Sequence, residues 1–196
     1  MKSKVFLAVS VLVTGLLMFY IHQHIKPQQQ IQALYGNVID FSLLDENGQV
    51  FSREKLSNKI WVANFIFTRC KGQCPLLSLE MAALQERYQY KDDFDLASFS
   101  VDPEYDRPEM LKAYAARYKA DTRHWHFLTG TQPQIDALLT KGFKIGSTEN
   151  PNYHSTRLVL VDRMFCIRGY YDAEDPPSLK QLYTDINRVL KEVPEP

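Results

Sequence analysis

Hydrophobic and polar positions along the chain fall into three regimes. After Met1, Lys2, Ser3 and Lys4, residues 5–21 run seventeen positions without a charge. Residues 22–35 are mostly polar and include a Gln run from Gln28 to Gln30. From Gly36 onward, apolar runs of strand length alternate with longer amphipathic stretches, the pattern of an α/β domain. Residues 41–44 and 49–52, joined through Asp45, Glu46, Asn47 and Gly48, predict a hairpin turning at Asn-Gly. Residues 60–68 are apolar on both faces and predict a central strand.

Residues 76–90 then place Leu76, Leu79, Ala83, Leu84 and Tyr88 at helical spacing. A second buried strand is expected over 96–101, a helix from Pro108 to about 119, and another over 132–141. Residues 157–162 and 166–171 predict a closing pair of strands, and 178–190 a last helix. The order is hairpin, strand, helix, strand, helix, helix, paired strands, helix. It suits an α/β, thioredoxin-like sheet with an N-terminal hairpin and an insertion, a fold whose chemistry sits at the first strand-to-helix junction.

The uncharged segment 5–21 is at the lower end of the roughly 17 to 25 residues that span a bilayer, and longer than the ~7 to 15 apolar residues of a cleaved signal peptide. No small-residue cleavage site follows, because the next residues are His22, Gln23, His24, Ile25, Lys26 and Pro27. The expected organisation is a cytoplasmic tail (1–4), a single transmembrane signal anchor (5–21), a linker (22–35) and one domain (36–192). Lys2 and Lys4 hold the tail inside, which puts the domain on the periplasmic or equivalent extracytoplasmic side; Lys26 on the far flank reduces the asymmetry.

Composition narrows the function. A chain of 196 residues with 45% hydrophobic content supports one well-packed domain. Lys+Arg and Asp+Glu are both 23, so no basic surplus points to nucleic acid. Three cysteines are too few for a disulfide scaffold, and Cys70 with Cys74 reads as a site. Four residues correspond to one helical turn, roughly 6 Å between backbones, close enough for a disulfide or for two sulfurs on one ion. The pair stands at an expected helix N-terminus with Arg69 and Lys71 adjacent, which favours thiolate. A purely structural disulfide here closes only five residues and stabilises by about 2 kcal/mol, against about 4 to 5 kcal/mol for a crosslink over a hundred residues.

Other candidates carry ordinary readings beside functional ones. His154, directly before the strand at 157–162, is a loop histidine that spacing alone does not mark as a ligand. Asp102, Glu104 and Asp106 follow a central strand on the same edge as the cysteines and fit turn and helix-start chemistry before Pro108, the alternative being groups that face a partner or stand behind the site residues. His124 and His126 flank Trp125 and fit alternation in a short strand, with metal binding the alternative. His22 and His24 fit interfacial polar residues, with metal sampling the alternative, and Cys166 an ordinary strand cysteine, an intermolecular disulfide or an adventitious metal ligand.

The blocks Thr68-Arg69-Cys70 and Cys74-Pro75, Ser100-Val101-Asp102-Pro103-Glu104 with Asp106 and Pro108-Glu109, Leu128-Thr129-Gly130, and Tyr153-His154-Ser155 resemble the Sco/SenC family. They occur in that family's order and approximate spacing over residues 36–190. The resemblance implies a membrane-anchored thioredoxin fold that binds Cu(I) or Cu(II) through Cys70, Cys74 and His154. It implies a metallochaperone delivering copper to the binuclear site of cytochrome c oxidase subunit II or another copper-site protein, served by a periplasmic copper donor or thiol reductant. Two thiolates and an imidazole suit Cu(I), and structural zinc would want a fourth ligand. The alternative is a membrane-anchored thiol-disulfide oxidoreductase using Cys70 and Cys74 as a redox-active pair on a partner's cysteines, or in redox signalling. A peroxidase-like enzyme has only fold analogy behind it. Three positions depart from the family pattern. Lys71 stands where Pro is frequent, and Tyr153 where an Asp could orient the histidine. The turn Asp162-Arg163-Met164-Phe165 lacks the usual Gly and leads to the extra Cys166.

Overall fold

The computed structural model describes residues 35–146 and 156–192. The expected anchor (5–21), nearly all of the linker, and His154 lie outside the described residues. Among the described residues no helix is long and apolar enough to cross a membrane.

The chain opens with β1 (Ser42–Leu44) and β2 (Val50–Ser52), an antiparallel hairpin as the Asn-Gly turn predicts. Gly48 sits at φ 73°, and its amide donates to the Asp45 carbonyl at 2.9 Å. A 3-10 turn, Arg53–Leu56, leads into β3 (Ile60–Ile66), which is buried along its whole length. Then come α1 (Cys74–Tyr88), β4 (Phe94–Ser100), α2 (Pro108–Arg117), β5 (Trp125–Leu128) and α3 (Gln132–Ala137). A π turn (Leu138–Gly142) follows α3; the chain ends with β6 (Arg157–Val161), β7 (Ile167–Asp172) and α4 (Pro176–Val189).

The main sheet has the order β5-β4-β3-β6-β7, with β3, β4 and β5 parallel and β6 and β7 antiparallel. This is the thioredoxin-like α/β sheet expected from the sequence. β5 is the strand that the element order above leaves out, although the alternation around His124 and His126 already implies a short strand there.

Alternation along β3 divides the core. Ile60, Val62 and Ile66 face α1, α2 and α4, meeting Leu77, Met81, Leu111 and Ile186. Trp61, Ala63 and Phe65 face the hairpin and α3, where Phe99 stacks on Phe65 and Phe143 meets Trp61 and Phe65 edge-on. The π turn aims Phe143 into that cluster, its amide bonding the Leu138 carbonyl at 2.7 Å. In the glycine-free turn 162–165, Phe165 adopts φ 60°, which is costly for a bulky residue. Asp162 Oδ1 accepts the Met164 and Cys166 amides, both at 2.9 Å, and the Arg53 guanidinium lies 4.2 Å from the Phe165 ring centre.

Candidate metal centre

Because β3 is a central strand buried on both faces, its C-terminal end opens onto one edge of the sheet. The chain leaves it through Phe67, turns so that the Cys70 amide donates to the Phe67 carbonyl at 3.1 Å, and enters α1 at Cys74. This corrects the picture of two cysteines one turn apart on a helix. Cys70 stands in the loop before the helix, and only Cys74 is helical. The physical reason is Pro75, which has no amide to donate and whose ring clashes with the carbonyl four residues back, so it is accommodated only in a first turn.

The loop nevertheless brings the two thiols close enough for each to alter the other's acidity. Both are reduced here. Cys74 is 1% exposed and Cys70 partly exposed. Their acidities diverge. Burial raises the Cys70 pKa, but hydrogen bonds from the Cys74 thiol and from the amides of Cys74, Gly72 and Gln73 outweigh it and leave Cys70 below the ordinary thiol range. Burial pushes Cys74 up to about 12, with the neighbouring Cys70 adding to the rise. The expected helix N-terminus thus acts through its amides. Arg69, expected to favour thiolate by proximity, is engaged elsewhere: its guanidinium pairs with Asp102 at 2.5 Å and lies 4.1 Å from the Tyr105 ring centre.

Below Cys74, α1 is tied to α2. Tyr114 Oη lies 2.8 Å from Ser78 Oγ and donates to the Cys74 carbonyl at 3.5 Å. The 102–106 loop packs beside the cysteine turn. Of the three acids there, Asp102 holds Arg69, Glu104 is exposed, and Asp106 is fully buried. Asp106 receives the Thr68 amide at 2.9 Å, the Thr68 hydroxyl, and the Ser100 hydroxyl at 2.6 Å. It is neither partner-facing nor a helix cap, because Arg107 occupies the N-cap of α2. Residue type and position in a Pro-containing loop cannot reveal that burial.

His124 and His126 belong to a different edge. Their rings turn to the buried Asp95, His124 Nδ1 at 3.0 Å and His126 Nε2 at 3.4 Å, beside Lys59 Nζ at 2.8 Å. With an ammonium in the middle, this is a structural cluster, as the short-strand reading holds. Cys166 forms an isolated β-bridge with Asn37 at the start of the domain and immediately precedes β7. Among the described residues no group of three or more His, Cys, Asp or Glu side chains is arranged to hold a metal ion. The described part of the site supplies two sulfurs, a donor pair that fits a soft cation.

A mixed α/β sheet with a reduced, asymmetric dithiol at the strand-to-helix junction defines a thioredoxin-like dithiol protein. The SCO1/SenC family model matches residues 29–191, and the chain belongs to that family. It is 39% identical over 119 residues to the SCO1 protein homolog of Bacillus subtilis, covering 60% of this chain and 62% of that protein, so it spans somewhat less than two thirds of that relative's length. A Stutzerimonas stutzeri relative named for copper binding is 32% identical over 156 residues, 76% of this chain and 74% of that protein. Among solved structures, BsSco, described as having a disulfide switch and as a member of the Sco family of cytochrome c oxidase assembly proteins, is 31% identical. It superposes with a TM-score of 0.71 over 83% of this chain and 98% of its own.

Proposed function

We propose that this chain is a membrane-anchored copper protein that delivers copper to the binuclear site of cytochrome c oxidase subunit II, with Cys70, Cys74 and His154 as ligands. The observation that carries the reading is the convergence of the Cys70 and Cys74 thiols at the open end of β3. Family membership, the relative named for copper binding and the assembly role of the neighbouring family support it. Two thiolates and one imidazole make a soft three-ligand set that leaves room for a partner's ligand, so copper can pass by stepwise ligand exchange. The segment 5–21 anchors the domain on the extracytoplasmic side. Anaerobic titration of the reduced full-length chain with Cu(I) tests the proposal. One copper per chain is expected, abolished by Cys70→Ser or Cys74→Ser; unchanged stoichiometry in those variants would refute it.

The asymmetry of the thiols favours a second reading, a thiol-disulfide oxidoreductase. The Cys70 thiolate attacks one sulfur of a partner disulfide and releases the other as a thiolate. Cys74, giving up its proton, then attacks the Cys70 sulfur. The Cys70–Cys74 disulfide forms, and the partner leaves with both electrons as a dithiol, one proton coming from Cys74 and the other from solvent.

A further inference from the structure

Cys74 is held by the core: it begins α1, it is buried, and its carbonyl accepts from Tyr114. Cys70 has less support, since it is only partly buried against that core and stands in a turn ahead of the helix. What fixes that turn is the adjoining 102–106 loop. Asp106, fully buried, takes three donors from two segments: Oδ2 accepts the Thr68 amide at 2.9 Å and the Ser100 hydroxyl at 2.6 Å, while Oδ1 accepts the Thr68 hydroxyl. Ser100 is the last residue of β4, and its hydroxyl also accepts the Asp102 amide at 3.1 Å. The Asp106 amide closes back on the Asp102 carbonyl at 2.8 Å, and the Val101 amide joins the Ile66 carbonyl at 2.8 Å. One residue nearer the cysteine, Arg69 is gripped by Asp102 and Tyr105. Thr68 and Arg69 are therefore both anchored to the 102–106 loop, immediately before Cys70.

The structure assigns Asp106 the role of a positioning residue: through Thr68 it fixes the turn that carries Cys70, at the spacing from Cys74 where the two thiols meet. The inference rests on the reading of Cys70 and Cys74 as a reactive pair. A buried carboxylate is costly to desolvate and is well accommodated only when its lone pairs are filled, as they are here by charge-assisted bonds. The return is preorganisation. Holding both sulfurs in place raises the effective concentration of one thiol against the other, and a loosened turn lowers it.

The test equilibrates the full-length chain with a dithiothreitol redox buffer and reads the Cys70–Cys74 disulfide fraction by mass after alkylation. Asp106→Asn can still fill every contact, because its amide can donate to the Thr68 hydroxyl oxygen, but it exchanges charge-assisted bonds for weaker neutral ones. Thr68→Val removes the hydroxyl and keeps the amide. Each variant should lower the equilibrium constant for disulfide formation about 10-fold, the lower end of what losing an outer partner of a ligand costs a metal site. The double variant should fall no further than either single one, since both break one unit, and Thr68→Ser should behave as the parent. A parent-like disulfide equilibrium in both single variants, whatever their melting temperatures, overturns the inference, as do additive effects in the double variant. If the parent forms no Cys70–Cys74 disulfide at all, the reactive-pair reading falls, and this inference falls with it.

Discussion

Cys70 and Cys74 carry the same thiol in different surroundings, and the difference decides what each can do. Three backbone amides and the Cys74 thiol point at Cys70, whereas Cys74 is enclosed at the start of α1. Under limiting iodoacetamide Cys70 should therefore alkylate first. Its rate should rise with pH through a pKa below the ordinary thiol range, because the protonated thiol that dominates below that pKa does not attack. Cys74 should stay protected until strongly alkaline pH or unfolding. Equal rates, or faster labelling of Cys74, would contradict the geometry. The closeness of Cys70 and Cys74 is legible in the sequence from their spacing, but the asymmetry is not, since it depends on burial. Asp106 shows the same limit. In the sequence it is one of three acids ahead of Pro108, and only the fold reveals that it faces inward toward Thr68.

β3 is legible because a central strand covered on both faces reads as a nearly continuous apolar run, β4 from its shorter apolar stretch at Leu96, Ala97 and Phe99, and the hairpin because Asn47-Gly48 turns it. β5 is harder to see: four residues long, with His126 inside it, it offers too short a run to stand out. α3 ends earlier than its apolar spacing suggests, as the chain widens into the π turn that sends Phe143 into the aromatic cluster. Helical spacing also misplaces Cys70, although Pro75 in the first turn of α1 carries the correct boundary. A loop this short bears on stability. Closing the five residues from Cys70 to Cys74 restricts the unfolded chain little, so oxidation should stabilise the domain by no more than about 2 kcal/mol. Denaturant unfolding of the reduced and oxidised full chain, without copper, measures the gap, and one well beyond that figure would make the disulfide a structural staple.

The whole chain, with no net formal charge, joins a family-typical α/β domain to a terminal apolar segment. If residues 5–21 anchor it as proposed, the full-length protein should sediment with membranes, and protease added outside the cytoplasmic membrane should reach the domain. A mature chain recovered free of membranes and beginning near Gln28 would contradict the anchor. Departures from the family pattern leave the sulfur pair intact: Lys71 is exposed in the cysteine loop, and the glycine-free turn is supported by Asp162 and by Arg53 stacked on Phe165.

The copper-delivery account depends most directly on His154, because disulfide exchange between two cysteines and a partner needs no imidazole, whereas a three-ligand copper site does. Losing an outer-shell partner typically lowers metal affinity about 10 to 100 times, and losing a direct ligand should cost at least as much. The decisive measurement is a competition titration of Cu(I) into the reduced parent and His154→Ala chains, with Cys70 alkylation followed in parallel. The account predicts at least about 10-fold weaker copper binding in the variant and nearly unchanged thiol reactivity. Copper held as tightly by His154→Ala as by the parent would contradict it and leave the oxidoreductase reading in its place.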